Sequence, residues 1–327
     1  MIITRTPFRV SLAGGGTDIS SFYKKEDGTV INFTIQKYLY VVARFTDEGF
    51  VDHKYRVNWS KSEMCNSIKD IKHPIVKETL TFFNIKKPIE ITTFTDIPSN
   101  TGLGSSSAFT VGLVHALNKL LKRNVTKRKI AEQASLIEIK LVKRKIGKQD
   151  HYASSFGGVN EFVFKKNEKV LVKNIKIKKN IEKKIENENF LFYTKIKRNS
   201  HDVLKYQTIS NKKIFKNLIE IKKLTKPVKR ILLGKKTKYN LGYYFNKSWI
   251  YKKKLSSVVS SSYIDKFYKI ALRYGCSGGR LIGAGGGGFL LLNITNKKKN
   301  KVITKLSKLQ SLPIKIDYQG TKVVFET

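Results

Sequence analysis

The sequence predicts an α+β chain of two domains. Two observations carry that reading, and the length permits it. Strand-like and helix-like stretches are mixed along the chain rather than strictly alternating. A lysine-rich middle, about 165–189, is the natural place for a change of domain. A chain of 327 residues can bury one large core or two medium ones. The expected division is 1–188 and 189–327.

Each element has a local reason. "TRTPFRVSLA", "YLYVVARF" and "PIEITTFTDI" are rich in β-branched and aromatic residues and read as strands. After "GLGSSS", Phe109, Leu113, Ala116, Leu117, Leu120 and Leu121 recur at three- and four-residue spacing, which predicts a helix. A second helix opens at Thr126, an N-cap candidate, carries Ile130, Ala134, Ile137 and Leu141 on one face, and ends at Gly147. "GKQDHYASSFGG" reads as a loop closed by a Gly-Gly turn. "NFLFYT" reads as a strand, with helices over about 200–224 and 247–274. "GGRLIGAGGGGFLLLNIT" is a glycine turn feeding an apolar strand, and "PIKIDYQGTKVVFE" closes the chain in strands.

The bulk composition excludes several classes. Hydrophobic content of 40% and aromatic content of 11% fit a folded protein rather than a disordered one. No apolar run is long enough to cross a bilayer. The start, "MIITRTPFRV", lacks the charged and apolar regions of a signal peptide, so a cytoplasmic protein is expected. Cys65 and Cys276 give neither a disulfide framework nor metal-ligand spacing. A formal charge of +41 raises nucleic acid, membrane surfaces and anionic substrates as partners. The excess is lysine mixed with isoleucine and asparagine, a compositional bias that makes solvated lysine faces. With no RNA-recognition signature, zinc-finger spacing or basic zipper, neither a specific nucleic acid nor a membrane is expected as a partner.

"PSNTGLGSSSAF" carries the chemistry. The first N–H groups of a helix have no partner within it, and with the helix dipole they form an anion site. Gly102 and Gly104 let the backbone turn tightly beside a phosphate. Ser105, Ser106 and Ser107 can cap the helix, bond phosphate oxygens or hold Mg²⁺ through a hydroxyl. A simple glycine turn with a serine cap has the same local sequence. "GLGSSS" is no Walker A loop, since it lacks the Lys-Ser/Thr pair. "GAGGGG" satisfies G-x-G-x-x-G at Gly283, Gly285 and Gly288, but an apolar strand follows where a dinucleotide site needs a helix. Phosphoryl transfer also needs a metal ligand, a cation and often a base. Glu138, Asp150, Arg5 and Arg9 are the candidates.

Taken together, the chain resembles the GHMP kinase superfamily. "TPFRVSLAGGGTD", "PSNTGLGSSSA" and "GGRLIGAGGGGF" match its three motifs in order and span nearly the whole chain. "GGGTD", "IEI", "GKQDHYASSFGG", "FLFYTKIKR" and "SWIYKKKLSSVVSSSYIDKFY" look like its sugar-1-kinase branch, with the D-glycero-D-manno-heptose 7-phosphate kinases nearest. The resemblance implies a two-domain fold: an N-terminal mixed sheet with helices, and a C-terminal ferredoxin-like α/β sandwich. It also implies ATP and Mg²⁺, a sugar phosphate phosphorylated at its anomeric hydroxyl, and a monomer or homodimer.

The implied roles follow residue by residue. Gly102, Leu103, Gly104, Ser105, Ser106 and Ser107 lie on the ATP phosphates, and Ser106 and Glu138 contact Mg²⁺. Asp150 is the base and Arg9 the catalytic cation. Gly15, Gly16, Thr17 and Asp18 hold the sugar, with Gly285, Gly286 and Gly287 closing on it. Arg198 could hold the sugar's own phosphate, although Lys195 stands where related enzymes tend to have glycine. The competing readings are a fucokinase-like enzyme on a free sugar, a basic nucleic-acid-binding protein, and a degenerate relative without activity.

Overall fold

Strand β1 (Ile2–Ala13) has alternating burial in its first residues and is buried on both faces from Thr6 on. It pairs antiparallel with β2 (Gly28–Phe45) over its whole length, which is why β2 runs ten residues further back than "YLYVVARF" suggests. The computed structural model describes residues 1–47, 49, 52–197 and 212–327. Next come β3 (Tyr55–Asn58), β4 (Ser62–Cys65), helix α1 (Pro74–Phe82) and β5 (Ile89–Thr95). Helix α2 (Ser105–Leu120) follows the glycine turn, and α3 (Lys127–Leu136) runs into a π-helical turn, Ile137–Leu141. Helix α4 (Gln149–Phe156), β6 (Val159–Phe164), β7 (Val170–Asn174) and α5 (Lys179–Glu188) complete this part.

Among the described residues the large sheet has nine strands. β1, β2, β5, β3 and β4 lie in that order, and β6 pairs with β2 and β7. Helix α2 packs on β1 and β2. Val111, Leu113 and Val114 of the helix join Phe8, Val10, Leu12 and Phe33 of the sheet in one core. Burying each such side chain contributes about 1.5–3 kcal/mol, so the start of α2 is held rigidly against β1.

A second, antiparallel sheet is built from β8 (Asn189–Tyr193), β9 (Cys276–Leu281), β10 (Phe289–Ile294) and β11 (Gln310–Pro313). Its order is β11-β8-β10-β9, the 4-1-3-2 order of a ferredoxin-like layer. Helices α6 (Lys212–Lys223), α7 (Thr225–Leu232), α8 (Leu241–Lys253) and α9 (Ser262–Arg273) connect β8 to β9, and α10 (Lys299–Lys305) connects β10 to β11. Two last strands return to the large sheet: β12 (Ile316–Asp317) pairs with β2 and β13 (Lys322–Glu326) with β1. Among the described residues no helix is long and apolar enough to cross a membrane. The architecture is α+β, as the sequence predicts.

Local expectations fail in three places, each for a physical reason. "GKQDHYASSFGG" is not a loop but helix α4 between glycines. His151, Tyr152, Ala153, Ser154 and Ser155 are all buried there, so no one-sided apolar pattern marks it. The second helix ends before Gly147. After Leu141 the chain reverses at Lys143, whose φ is 60°. The span 247–274 is two helices, not one. Asn240 caps α8, and Ser261 accepts the Ile264 N–H to start α9. The helix expected from about 200 is described only from Lys212, because 198–211 lie outside the described residues.

Candidate active site

The glycine turn and the start of α2 form one wall of a cleft of about 270 Å³. Gly102 and Gly104 have φ of 86° and 83°, a left-handed backbone that favours glycine, and Gly104 is the N-cap. Gly104 therefore offers no side chain to the free N–H groups above it, which are left for a ligand. Ser105, Ser106 and Ser107 line the cleft beside them. Leu103 points inward, fully buried, and its carbonyl accepts the backbone N–H of Arg9 at 3.2 Å.

Arg9, on β1, ties the turn to α4. Its Nε and Nη2 donate to the two carboxylate oxygens of Asp150 at 2.7 and 2.6 Å, and its Nη1 donates to the Gly102 carbonyl at 2.7 Å. Arg9 is 4% exposed and Asp150 19%. Paired, charge-assisted bonds of this kind fix geometry as well as adding energy. A carboxylate accepts at about four positions, and the guanidinium takes two of them here. Asp150 therefore keeps acceptor capacity toward the cleft it lines.

Glu138 sits on the π-helical turn. Such a turn holds more residues than an α-helical one and rotates whatever follows. Glu138 is fully buried and Leu141 comes out 37% exposed, reversing the faces expected from 3.6 periodicity. Four groups donate to its carboxylate: Arg144 at 2.9 Å on Oε1, and His151 at 2.8, Ser107 at 3.1 and Thr110 at 3.2 Å on Oε2. Burial alone would raise its pKa. The hydrogen bond and charge interaction with His151, and then the Arg144 guanidinium, outweigh that and hold it near 2.

A helix start and a base candidate thus line one cleft, with the buried Glu138 behind Ser107, and comparison with known proteins says what they belong to. Residues 68–158 match the family model for the GHMP kinases N terminal domain, and residues 245–311 match the model for the GHMP kinases C terminal. The chain is 32% identical over 320 residues, 94% of both chains, to a D-glycero-alpha-D-manno-heptose 7-phosphate kinase of Campylobacter jejuni. The chain belongs to the GHMP kinase family. A solved Campylobacter jejuni putative sugar kinase is 29% identical with a TM-score of 0.72, covering 98% of this chain and 97% of that one. The heptose 1-phosphate kinase structure from Bacteriodes thetaiotaomicron shares the fold, with a TM-score of 0.80 at 23% identity and full coverage of both chains.

The rest of this GHMP kinase's cleft mixes polar and apolar side chains, with Asp18 and Gln149 beside Ile146, Ile221 and Leu255. Gly15, Gly16 and Asp18 line it, while Thr17 turns away and bonds the Gly14 and Thr29 carbonyls. Asp18 accepts from the N–H of Gly16 and from both the backbone and the side chain of Gln149. Burial, and then the Asp150 charge, push its pKa up to about 6. Gly147 is what admits Asp18: a Cβ there would lie 1.8 Å from Asp18 Oδ2.

In the third motif, Gly283 and Ala284 line the cleft. Gly285 and Gly287 instead pack against Val259 and Ile196, and the Gly286 N–H bonds the Val259 carbonyl. The contact with the phosphate turn comes one step later, where the Phe289 N–H donates to the Thr101 carbonyl at 3.2 Å. Arg198 lies outside the described residues.

Sequence reasoning missed Arg144, His151, Gly147 and Arg280. His151 had a signal, since it follows Asp150 directly. Arg280 stood inside the quoted third motif, but nothing in its neighbours marked it as buried.

Proposed function

We propose that this kinase transfers the γ-phosphoryl group of ATP to the anomeric hydroxyl of a sugar phosphate, with a D-glycero-D-manno-heptose 7-phosphate as the acceptor and a 1,7-bisphosphate as the product. One observation carries the reading. The Asp150 carboxylate, held at both oxygens by Arg9, faces the same cleft as the free helix start at Ser105–Ser107. The Campylobacter relative's name supports the choice of acceptor. The two-domain division near residue 188 is part of the same proposal.

In this reading the nucleotide's phosphates lie along Gly102–Ser107, bonded by the helix N–H groups and serine hydroxyls. Asp150 orients the acceptor hydroxyl and takes its proton. Arg9 fixes Asp150 and sets positive charge beside the transferring group. Asp18, Gly15 and Gly16 hold the sugar's hydroxyls. The donor set fits Mg²⁺: Ser106 and Glu138 offer hard oxygens, few in number, as suits an ion that takes its remaining ligands from phosphates and water. Glu138 Oε1 is shared with Arg144, which is 33% exposed and has room to move aside. When bound, the ion neutralises phosphate charge.

The test is an assay with ATP and a panel of heptose 7-phosphate, free heptose, fucose and galactose, with the product read by phosphorus NMR. An anomeric phosphate formed fastest on the heptose phosphate is the expected result. Phosphorylation at another hydroxyl, or a preference for a free sugar, would overturn the assignment.

A further inference from the structure

Arg280 is the least explained charge in the molecule. It stands on β9, is 3% exposed, and lines the cleft. Its Nη1 donates to the Ser248 hydroxyl of α8 at 3.1 Å, and its Nη2 to the Ser11 carbonyl of β1. Its Nε is buried without a hydrogen-bond partner, and so is the Ser11 hydroxyl, which also lines the cleft. Among the described residues no carboxylate pairs with it.

A buried guanidinium without a counter-charge is expensive. The neighbouring charge makes matters worse. Arg9 is close enough that, after burial itself, its repulsion pushes the Arg280 pKa down to about 10. Arg9 has Asp150 for compensation, and Glu138 has Arg144 and His151, but Arg280 has only neutral acceptors. A guanidinium carries about five N–H donors in a planar fork that matches phosphate, and only two partners use it here.

We propose that Arg280 is a phosphate-binding residue, whose free edge receives a phosphate group of a bound substrate in the cleft. The inference rests on the kinase reading for the source of that phosphate, which is either the acceptor's own phosphate or the terminal phosphate of ATP. A purely structural role, in which Arg280 only brackets β9 to β1, is the competing account.

The variants are Arg280→Met and Arg280→Gln, each checked for folding by circular dichroism. Binding of inorganic phosphate is measured by calorimetry in the intact protein, and initial rates are measured with the phosphorylated sugar and with the same sugar unphosphorylated. A lost charge-assisted contact predicts phosphate binding weaker by about ten- to a hundredfold in Arg280→Met. If the acceptor supplies the phosphate, KM for the phosphorylated sugar rises by a similar factor, while KM for ATP and the rate on the free sugar stay within twofold. If ATP supplies it, both sugars lose rate equally and KM for ATP rises. A folded Arg280→Met with unaltered phosphate binding and kinetics would overturn the proposal. So would an unfolded Arg280→Met accompanied by a folded Arg280→Gln, neutral but still able to bond Ser11 and Ser248, that binds phosphate as wild type does. Absence of turnover on any sugar would instead sink the kinase reading of the acceptor, and the phosphate arm would still report on Arg280.

Discussion

Asp150→Asn separates the two jobs given to this carboxylate. The substitution keeps the shape and removes the charge. One amide oxygen can still accept from Arg9, but the other position now presents an N–H₂ to a guanidinium at what was 2.6 or 2.7 Å. Arg9, 4% exposed, is left with the Gly102 carbonyl as its other acceptor. Breaking one side of a buried pair costs about 3–5 kcal/mol, and the 19% exposure of Asp150 puts this case at the lower end. At about 2–4 °C per kcal/mol, the melting temperature should fall by about 6–12 °C. Turnover should fall about 10²- to 10⁴-fold through loss of the base, with KM for ATP nearly unchanged. The assay is a melting curve and a steady-state titration on the same preparation. The control is Arg9→Met with Asp150→Leu, which removes both charges and should recover most of the stability but none of the activity. Wild-type turnover in Asp150→Asn would refute the catalytic role. A double variant less stable than Asp150→Asn would refute the claim that the unpaired charge is what destabilises it.

Two further outcomes follow from Asp18 and its surroundings. Asp18 has a folded pKa of about 6 against an ordinary 3.8, so its contribution favours the fold below about pH 4 and is lost as pH rises through 6; at pH 8 the ionised carboxyl opposes folding by up to about 3 kcal/mol. Asp18→Asn should therefore melt higher than wild type at pH 8, with a smaller gain at pH 4, while the acceptor KM of the wild-type enzyme, if the ionised form holds the sugar, rises about tenfold per pH unit below 6 and that of the variant is flat; a variant melting lower than wild type at pH 8 would contradict this. Gly147→Ala places a Cβ 1.8 Å from Asp18 Oδ2 and should raise the acceptor KM by at least tenfold with little change in KM for ATP, and an unchanged acceptor KM would show that the loop yields without moving Asp18.

The parts of this site that were legible in the sequence are those whose geometry is local. A helix start with glycines and serines before it is written in a dozen consecutive residues, and Thr126 was a readable cap because its hydroxyl reaches only to the Lys129 N–H. What could not be read is whatever depends on chain segments far apart in sequence. The Arg9–Asp150 pair spans 141 positions, and the Arg280 bond to Ser11 spans 269. Glu138 shows how one backbone irregularity defeats a pattern argument. A regular helix through 130, 134, 137 and 141 leaves Glu138 beside its apolar face. The π-helical turn instead drives it into the interior, where His151, Ser107, Thr110 and Arg144 are waiting. An acid cannot be buried this way unless its partners are already in place. The turn therefore depends on α2 and α4 being packed on either side of it, so disrupting any one of the four donors should loosen the π-helical turn along with the site.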